Sequence, residues 1–201
     1  MKLIDSTALI IFVRNPVHGK VKTRLAMVIG DDRALEIYIL LLKHTFDFTK
    51  GLKCKKFVFY ADEIVQEDLW SGADFGKRLQ RGNDLGERMQ NAINELFIEG
   101  FSQVILIGCD CFELNSSVLE EAISHLNKND AVFGPAQDGG YYLLGLKKLI
   151  PELFVNKKWS TDEVAKETIN DFKRLQLSYY LLPKLNDIDD AFDLGPFDKQ
   201  Q

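Results

Sequence analysis

The sequence predicts an α/β fold built on a mainly parallel but mixed sheet, and three observations carry that prediction. Strand-like apolar runs alternate with amphipathic helical stretches through the first two thirds of the chain, as in βαβ units. The stretch VILIGCDC, 104–111, opens on four branched apolar residues, which fits a strand buried on both faces in the middle of a parallel sheet. Finally, AVFGPA and YYLLGLK, within 131–147, flank the turn QDGG and form a strand pair that breaks the alternation.

Each element has its own signal. TALIIFVR (7–14) reads as the first strand, followed by the Pro/Gly loop NPVHGK. An amphipathic helix runs from Lys22 to Phe48, with a break expected near Gly30 and Asp31. KKFVFYA (55–61) is a strand, Glu63 to Trp70 a short helix, and GKRLQRGN (76–83) holds a further short strand. Asp84, with Glu87 three residues on, opens a capped helix that runs to Glu99. After the 104–111 strand, Ser117 and Glu120 cap a helix to Asn127, and Ser160 and Glu163 cap another to Phe172. LSYYLLP (177–183) is the last strand, and Asp190 and Asp193 cap a short terminal helix.

Composition excludes several function classes. With 201 residues and 46% hydrophobic content, the chain can bury a full core, and one domain spanning 1–201 is expected. A net charge of −5 gives no basic face for a general nucleic-acid binder. No apolar run reaches the roughly 20 residues of a membrane span. The first residues carry Asp5 and no small-residue cleavage site, so they read as the approach to a first strand and not as a signal peptide. Three cysteines, Cys54, Cys109 and Cys111, form no CxxC pair; they support neither a disulfide framework nor a zinc knuckle, and a cytoplasmic location is expected.

Four stretches carry chemistry. Asp110 stands just past the central strand, facing the crevice where open α/β sheets bind ligands, and is the first candidate metal ligand. The loop RNPVHGKVKTRLA (14–26) has no acid but has Arg14, Lys20, Lys22 and Arg24, with Gly19 among them. Cations at the start of a helix oppose its dipole by about 0.3 kcal/mol or more each, which a bound oligophosphate would offset; the alternative is a solvated basic loop. The motif GxxxxGK[ST] is absent, so this is no P-loop. In LNDIDDAFDL (185–194), Asp187 and Asp189 share one face of an extended segment while Ile188 turns inward, so both carboxylates can meet one divalent cation; a solvated acidic segment is the alternative. GPAQDGGYYLLG (134–145) is a hairpin turn or a pocket wall, and in QRGNDLGERM (80–89) Asp84 is a helix cap or a ligand contact.

Together FVRNPVHGKVKTRLA, GNDLGERM, LIGCDC, GPAQDGGYYLLG, WST (159–161) and DIDDAFDL, in this order and spacing, resemble the bacterial selenodomain-associated transferases. That family lies in the nucleotide-diphospho-sugar transferase superfamily, of GT-A fold, and is related to molybdenum-cofactor and 2-phospholactate or phosphoenolpyruvate guanylyltransferases. The resemblance covers roughly residues 7–195 and implies a three-layer α/β/α sandwich. It also implies a phosphate-binding loop at Arg14, Gly19, Lys20, Lys22 and Arg24, with Gly82, Asp84 and Leu85 as further nucleotide contacts. The implied metal ligands for Mg²⁺ or Mn²⁺ are Asp110, Asp187 and Asp189, and the implied acceptor pocket involves Gly139, Gly140, Tyr141, Trp159, Ser160 and Thr161. The chain departs from the family pattern at Cys109, Cys111 and Phe112, where GSDSP is usual, and at Asp190, where the late motif usually reads DVDT.

What the resemblance implies is a metal-dependent transferase with a nucleotide sugar or NTP as donor and a small-molecule acceptor. Glycosyl transfer is the first reading, with Lys22, Arg24 and Asp110 acting on the phosphates and Asp138 or Asp162 as a carboxylate base. Nucleotidyl transfer to a phosphorylated acceptor, releasing pyrophosphate and needing no base, is the second. A nucleotide-binding module without catalysis is the third. A Ser/His/Asp hydrolase is poorly supported, since His44 and His125 fall inside predicted helices, His18 lies in the basic loop, and no GxSxG occurs.

Overall fold

The computed structural model describes residues 7–72 and 74–195, so the remaining terminal residues of the expected 1–201 domain lie outside the described residues. Seven strands form one sheet: β1 (Thr7–Val13), β2 (Lys55–Tyr60), β3 (Phe75–Leu79), β4 (Gln103–Ile107), β5 (Ala131–Pro135), β6 (Tyr141–Leu146) and β7 (Tyr179–Leu181). Their order is β3-β2-β1-β4-β6-β5-β7, and every neighbouring pair is parallel except those of β6, which is antiparallel to both β4 and β5. The mixed sheet expected from the DGG turn is therefore present.

Alternation along each central strand builds two cores. On β1, Leu9, Ile11 and Val13 face one side with Ile105 and Ile107 of β4; helices α2 (Asp31–Thr49) and α4 (Ser116–Leu126) cover them through Tyr38, Leu42, Leu119 and Leu126. On the other side Ala8 and Ile10, with Val104 and Leu106, meet α3 (Leu85–Ile98) and α5 (Val164–Arg174) through Met89, Ile93, Leu96 and Phe172. Burial on both faces is why β4 reads as an unbroken apolar run. A smaller third cluster, Leu25, Ile37, Leu41, Ile188 and Leu194, packs α1 (Thr23–Ile29) and the late acidic segment onto α2. Among the described residues no helix is long and apolar enough to cross a membrane.

Several boundaries differ from the sequence reading. The helix expected over Lys22–Phe48 is two helices, split at Gly30, whose φ of 83° ends α1 and starts α2. No helix forms at Glu63–Trp70: Asp68 accepts from Trp70 N and Ser71 Oγ donates to Gln66 O, while Lys77 Nζ donates to Val65 O, Gln66 O and Asp68. Such local side-chain bonds compete with the helical ladder. The central strand stops at Ile107, because its pairing with β1 and β6 ends there, leaving Gly108 to Cys111 beyond the sheet. Asn115, and not Ser117, caps α4, its Oδ1 accepting from Ser117 N and Val118 N. Ser160 lies at φ 65°, outside α5, and Glu163 occupies the cap position without a side-chain cap bond.

Phe133 is fully buried where β5 meets α5, against Tyr141 and Phe172. Phe133→Ala is expected to cost about 3–5 kcal/mol of unfolding free energy in urea titration; a loss under ~1 kcal/mol would show this core can collapse around the cavity.

Candidate active site

Two acidic segments remote in sequence meet at the C-terminal ends of the parallel strands. Ile188 N donates to Asp110 O at 2.9 Å, and the Ile188 side chain is 2% exposed, packed in the third cluster. Alternation in this extended segment then turns Asp187 and Asp189 to the side opposite Ile188, near Asp110. The pairing of the late aspartates expected from the sequence is thus realised by one backbone bond and one apolar anchor.

Between these carboxylates stands Lys22. Its Nζ lies 2.5 Å from Asp110 Oδ1 and 2.9 Å from Asp189 Oδ1, and its side chain is 5% exposed where the two carboxylates are 43% and 41% exposed. Burial works against the ammonium charge, but Asp110 and then Asp189 outweigh it and raise the Lys22 pKa. Lys22 reaches inward from a left-handed backbone, φ 49°. Asp187 is in the opposite situation. Burial, followed by the charges of Asp110, Asp138 and Asp189, pushes its pKa up to about 7, with Lys22 only partly offsetting them. Its Oδ1 is buried with no hydrogen-bond partner.

The basic loop is held from below and open above. Arg14, Lys20 and Arg24 are exposed and make no ion pair among the described residues, which leaves three cations free beside the acid cluster. The helix N-terminus expected to face an anion is a poor one, since α1 has only seven residues and its cap, Lys22, is in a left-handed conformation. The loop's root is fixed by Tyr38, whose hydroxyl accepts from Arg14 N (2.8 Å) and donates to Arg14 O (3.0 Å). Cys109 Sγ donates to the same hydroxyl, and burial pushes the Cys109 thiol up to about 12, so it stays a neutral thiol at pH 7. Buried Asn15 staples the loop to the end of β2, donating to Glu63 O and accepting from the amides of Asp62 and Glu63. Tyr38 and Asn15 were missed by sequence reasoning: the tyrosine sits on the apolar stripe of α2 and shows no polar signal there.

The remaining motifs form a supporting wall. Asp84 caps α3, its Oδ1 accepting from Glu87 N, while Glu87 reaches back to Asn83 N; Leu85 is exposed and Gly82, at φ 145°, lies against Glu87 and Arg88, where a Cβ has no room. Trp159 packs on Gly86 of α3, where an added Cβ would lie 2.5 Å from its Nε1. On the other flank Gly139, φ 90°, is pressed against the Asp162 backbone and its carbonyl accepts from Ala165 N. The WST loop therefore braces GNDLG against DGG. Asp138 is exposed and closes its own turn by accepting from Gly140 N at 2.9 Å. Tyr141 is partly buried and packs against the core: its hydroxyl donates to Met89 Sδ and its ring packs against Phe133. Tyr142 is likewise buried, donating to Pro183 O. His44 and His125 lie in α2 and α4, with His44 bonded to Leu114 O and His125 stacked on Tyr180.

A family model described as "Uncharacterized protein conserved in bacteria (DUF2064)" matches residues 46–161. The chain belongs to this family. A crystal structure of a "putative nucleotide-diphospho-sugar transferase" from Desulfovibrio desulfuricans G20 is 33% identical, with a TM-score of 0.88 over 95% of this chain and 85% of that one. The fold, though not more, is also shared with an inositol-1-phosphate CTP transferase from T. maritima, at 13% identity, a TM-score of 0.57 and coverage of 94% and 91%. A 4-diphosphocytidyl-2C-methyl-D-erythritol synthase from Anaerococcus prevotii gives 12% identity, a TM-score of 0.59 and coverage of 94% and 92%. No curated protein matches the chain. The α/β fold of this DUF2064 member is thus that of the nucleotide-diphospho-sugar transferases.

The acid cluster suits a hard divalent cation in donor chemistry, and one observation fits such a group: Asp187 keeps a buried oxygen with no hydrogen-bond partner, while Lys22 already pairs with Asp110 and Asp189. No set of three carboxylate, imidazole or thiol groups among the described residues is drawn together tightly enough to chelate an ion by itself. Mg²⁺ needs only one or two protein carboxylates when substrate phosphates complete its shell.

Asp187 also makes stability depend on pH. The folded chain holds its proton up to about pH 7, against 3.8 for an ordinary carboxyl, so stability is greatest below about pH 4 for this group and falls as pH rises through 7. Asp187→Asn is expected to remove about 2–4 kcal/mol of that fall, read as a smaller difference in urea unfolding free energy between pH 4 and pH 8. Parallel pH profiles in parent and variant would contradict the burial of this charge. Gly139→Ala, with a positive φ and a Cβ meeting the Asp162 backbone, is expected to cost about 1–3 kcal/mol in the same assay.

Proposed function

We propose that the chain is a metal-dependent transferase that uses a nucleotide-activated donor, transferring a glycosyl group from a nucleotide sugar to a small acceptor. The observation that carries this is the meeting of Asp110, Asp187 and Asp189 opposite a loop with three free cations, at the strand ends where open α/β sheets bind ligands. The relative at 33% identity bears a nucleotide-diphospho-sugar description, which favours the glycosyl reading, and the finer likeness to selenodomain-associated transferases belongs to the same proposal.

In this reading Arg14, Lys20 and Arg24 attract the donor's diphosphate and stabilise the charge that grows on it as the glycosidic bond to phosphate breaks. Gly82, Asp84 and Leu85, at the start of α3 on the same end of the sheet, border the nucleoside. Asp110 and Asp189 would hold Mg²⁺ or Mn²⁺, with Asp187 adjacent; the ion, when bound, neutralises the departing nucleoside diphosphate. Lys22 then has a second role, because a phosphate oxygen is as good a partner for its ammonium as the carboxylates it bridges. Asp138, whose Oδ1 accepts from Gly140 N, would serve as the base for an acceptor hydroxyl. Because Asp138 Oδ1 is engaged in closing its own turn, a second reading is nucleotidyl transfer to a phosphorylated acceptor, in which the nucleophile is already an anion and no base is needed.

Incubation of the chain with Mg²⁺, a panel of NTPs and nucleotide sugars and candidate acceptors separates these readings by the leaving group: nucleoside diphosphate for glycosyl transfer, pyrophosphate for nucleotidyl transfer. Nucleotide-dependent thermal stabilisation without turnover of any donor would leave only a binding module. Asp110→Ala is expected to abolish Mg²⁺-dependent nucleotide binding in isothermal titration while the urea unfolding midpoint stays near that of the parent. Unchanged Mg²⁺-dependent binding in this variant would sink the assignment of Asp110.

A further inference from the structure

Lys22 is not placed as a surface ion pair is placed. Its Nζ serves two carboxylates from remote segments, Asp110 at 2.5 Å and Asp189 at 2.9 Å, and its side chain is 5% exposed. An ammonium this far out of water stays charged because both carboxylates face it. Its backbone is unfavourable as well: φ is 49°, in the left-handed region, at the start of a helix that no side chain caps. Residues other than glycine held in that region gather at ligand clamps and switches.

The oxygens that Lys22 engages are of the kind a divalent cation takes. Mg²⁺ and Mn²⁺ choose hard carboxylate oxygens, and an ion on Asp110 or Asp189 would stand beside a buried ammonium. Like charges that close repel strongly where water does not screen them. Among the described residues no three ligating groups converge tightly enough to hold an ion, and Asp187 Oδ1 stays buried without a partner. Asp110 and Asp189 are thus arranged around Lys22.

A competing anion can draw Lys22 off them. Phosphate oxygens accept charge-assisted hydrogen bonds from an ammonium as carboxylates do. Lys22 shares its loop with Arg14, Lys20 and Arg24, whose side chains are exposed. An oligophosphate attracted by those three cations gains a fourth contact when Lys22 turns to it, and Asp110 and Asp189 are then released to a metal ion.

We propose that Lys22 is a built-in counter-ion that competes with the divalent cation for Asp110 and Asp189, so that the cation binds weakly until donor phosphates draw Lys22 away. The donor in this statement rests on the transferase reading; the competition for the carboxylates does not. Lys22 is then a positioning residue that couples two ligands, and by linkage the cation raises nucleotide affinity by the same factor as the nucleotide raises cation affinity.

Mn²⁺ serves as the probe, titrated into the full chain without nucleotide and read from the electron paramagnetic resonance signal of the free ion. Lys22→Met, which removes the charge, is expected to bind Mn²⁺ at least tenfold more tightly than the parent. Lys22→Arg, which keeps the charge, is expected to bind it as weakly as the parent does. Loss of the ammonium leaves carboxylates facing one another, so urea unfolding is followed in EDTA and in Mn²⁺. Mn²⁺ is expected to raise the midpoint of Lys22→Met, or to restore its folding, and to leave the parent's midpoint unchanged. Equal Mn²⁺ affinity or equal stabilisation in parent and Lys22→Met, tight binding by Lys22→Arg, or a Lys22→Met chain that Mn²⁺ neither binds nor stabilises would each overturn the counter-ion role. Turnover of a donor by a parent whose Mn²⁺ affinity equals that of Lys22→Met would uphold the transferase and overturn the counter-ion. Tighter binding by Lys22→Met, with no donor turned over by the parent, would uphold the counter-ion and overturn the transferase reading.

Discussion

Compensation of concentrated negative charge is the constraint on which the functional end of this molecule depends. The bond from Ile188 N to Asp110 O brings two acidic segments together, and the charges of Asp110, Asp138 and Asp189 then act on Asp187. Among the described residues Lys22 alone forms an ion pair with Asp110 and Asp189, and it does so from a left-handed backbone at the start of α1. The structure is left with one carboxyl, Asp187, that is more comfortable neutral. Such a residue is a burden to a folded chain at neutral pH and an asset to a site that receives a cation.

The scaffold around this cluster is rigid in specific places. Tyr38, Cys109 and Asn15 tie the root of the basic loop to α2, β2 and the turn after β4, while the cationic side chains above it stay free. Trp159 and Asp162, on one short loop, lean on Gly86 and Gly139, two positions where no side chain fits. Fixed backbone with exposed charged tips suits the phosphate-binding role proposed for this loop, since positioning comes from the frame and charge from the side chains. The departures at Cys109 and Phe112 have concrete roles in this frame: Cys109 bonds Tyr38, and the Phe112 ring packs against His44 at 4.7 Å. Asp190, the other departure, caps the terminal 3₁₀ turn together with Asp193 and makes no direct ion pair with Lys22.

Legibility in the sequence tracked the range of the forces involved. The strands, the mixed pairing around DGG, the cap at Asp84 and the break at Gly30 were readable because each is decided by local periodicity, capping or backbone freedom. The helix expected at Glu63–Trp70 failed because Lys77, from the following strand, gathers the carbonyls of that segment into a clamp. How far Tyr141 is drawn into the packing under α3 and α5 was not legible, because that depends on Met89 and Phe133 from other elements.

By itself the sequence determined the α/β class, the positions of Asp110, Asp187 and Asp189 on strand end and extended segment, and the cationic character of the first loop. These follow from alternation and from residue type, which act over a few residues. Tertiary structure alone decided that Lys22 turns inward while Arg14, Lys20 and Arg24 stay out, and that Asp187 is the buried member of the acid group. Each of these depends on which desolvated charges end up facing one another, and that is fixed only when distant segments share one low-dielectric space.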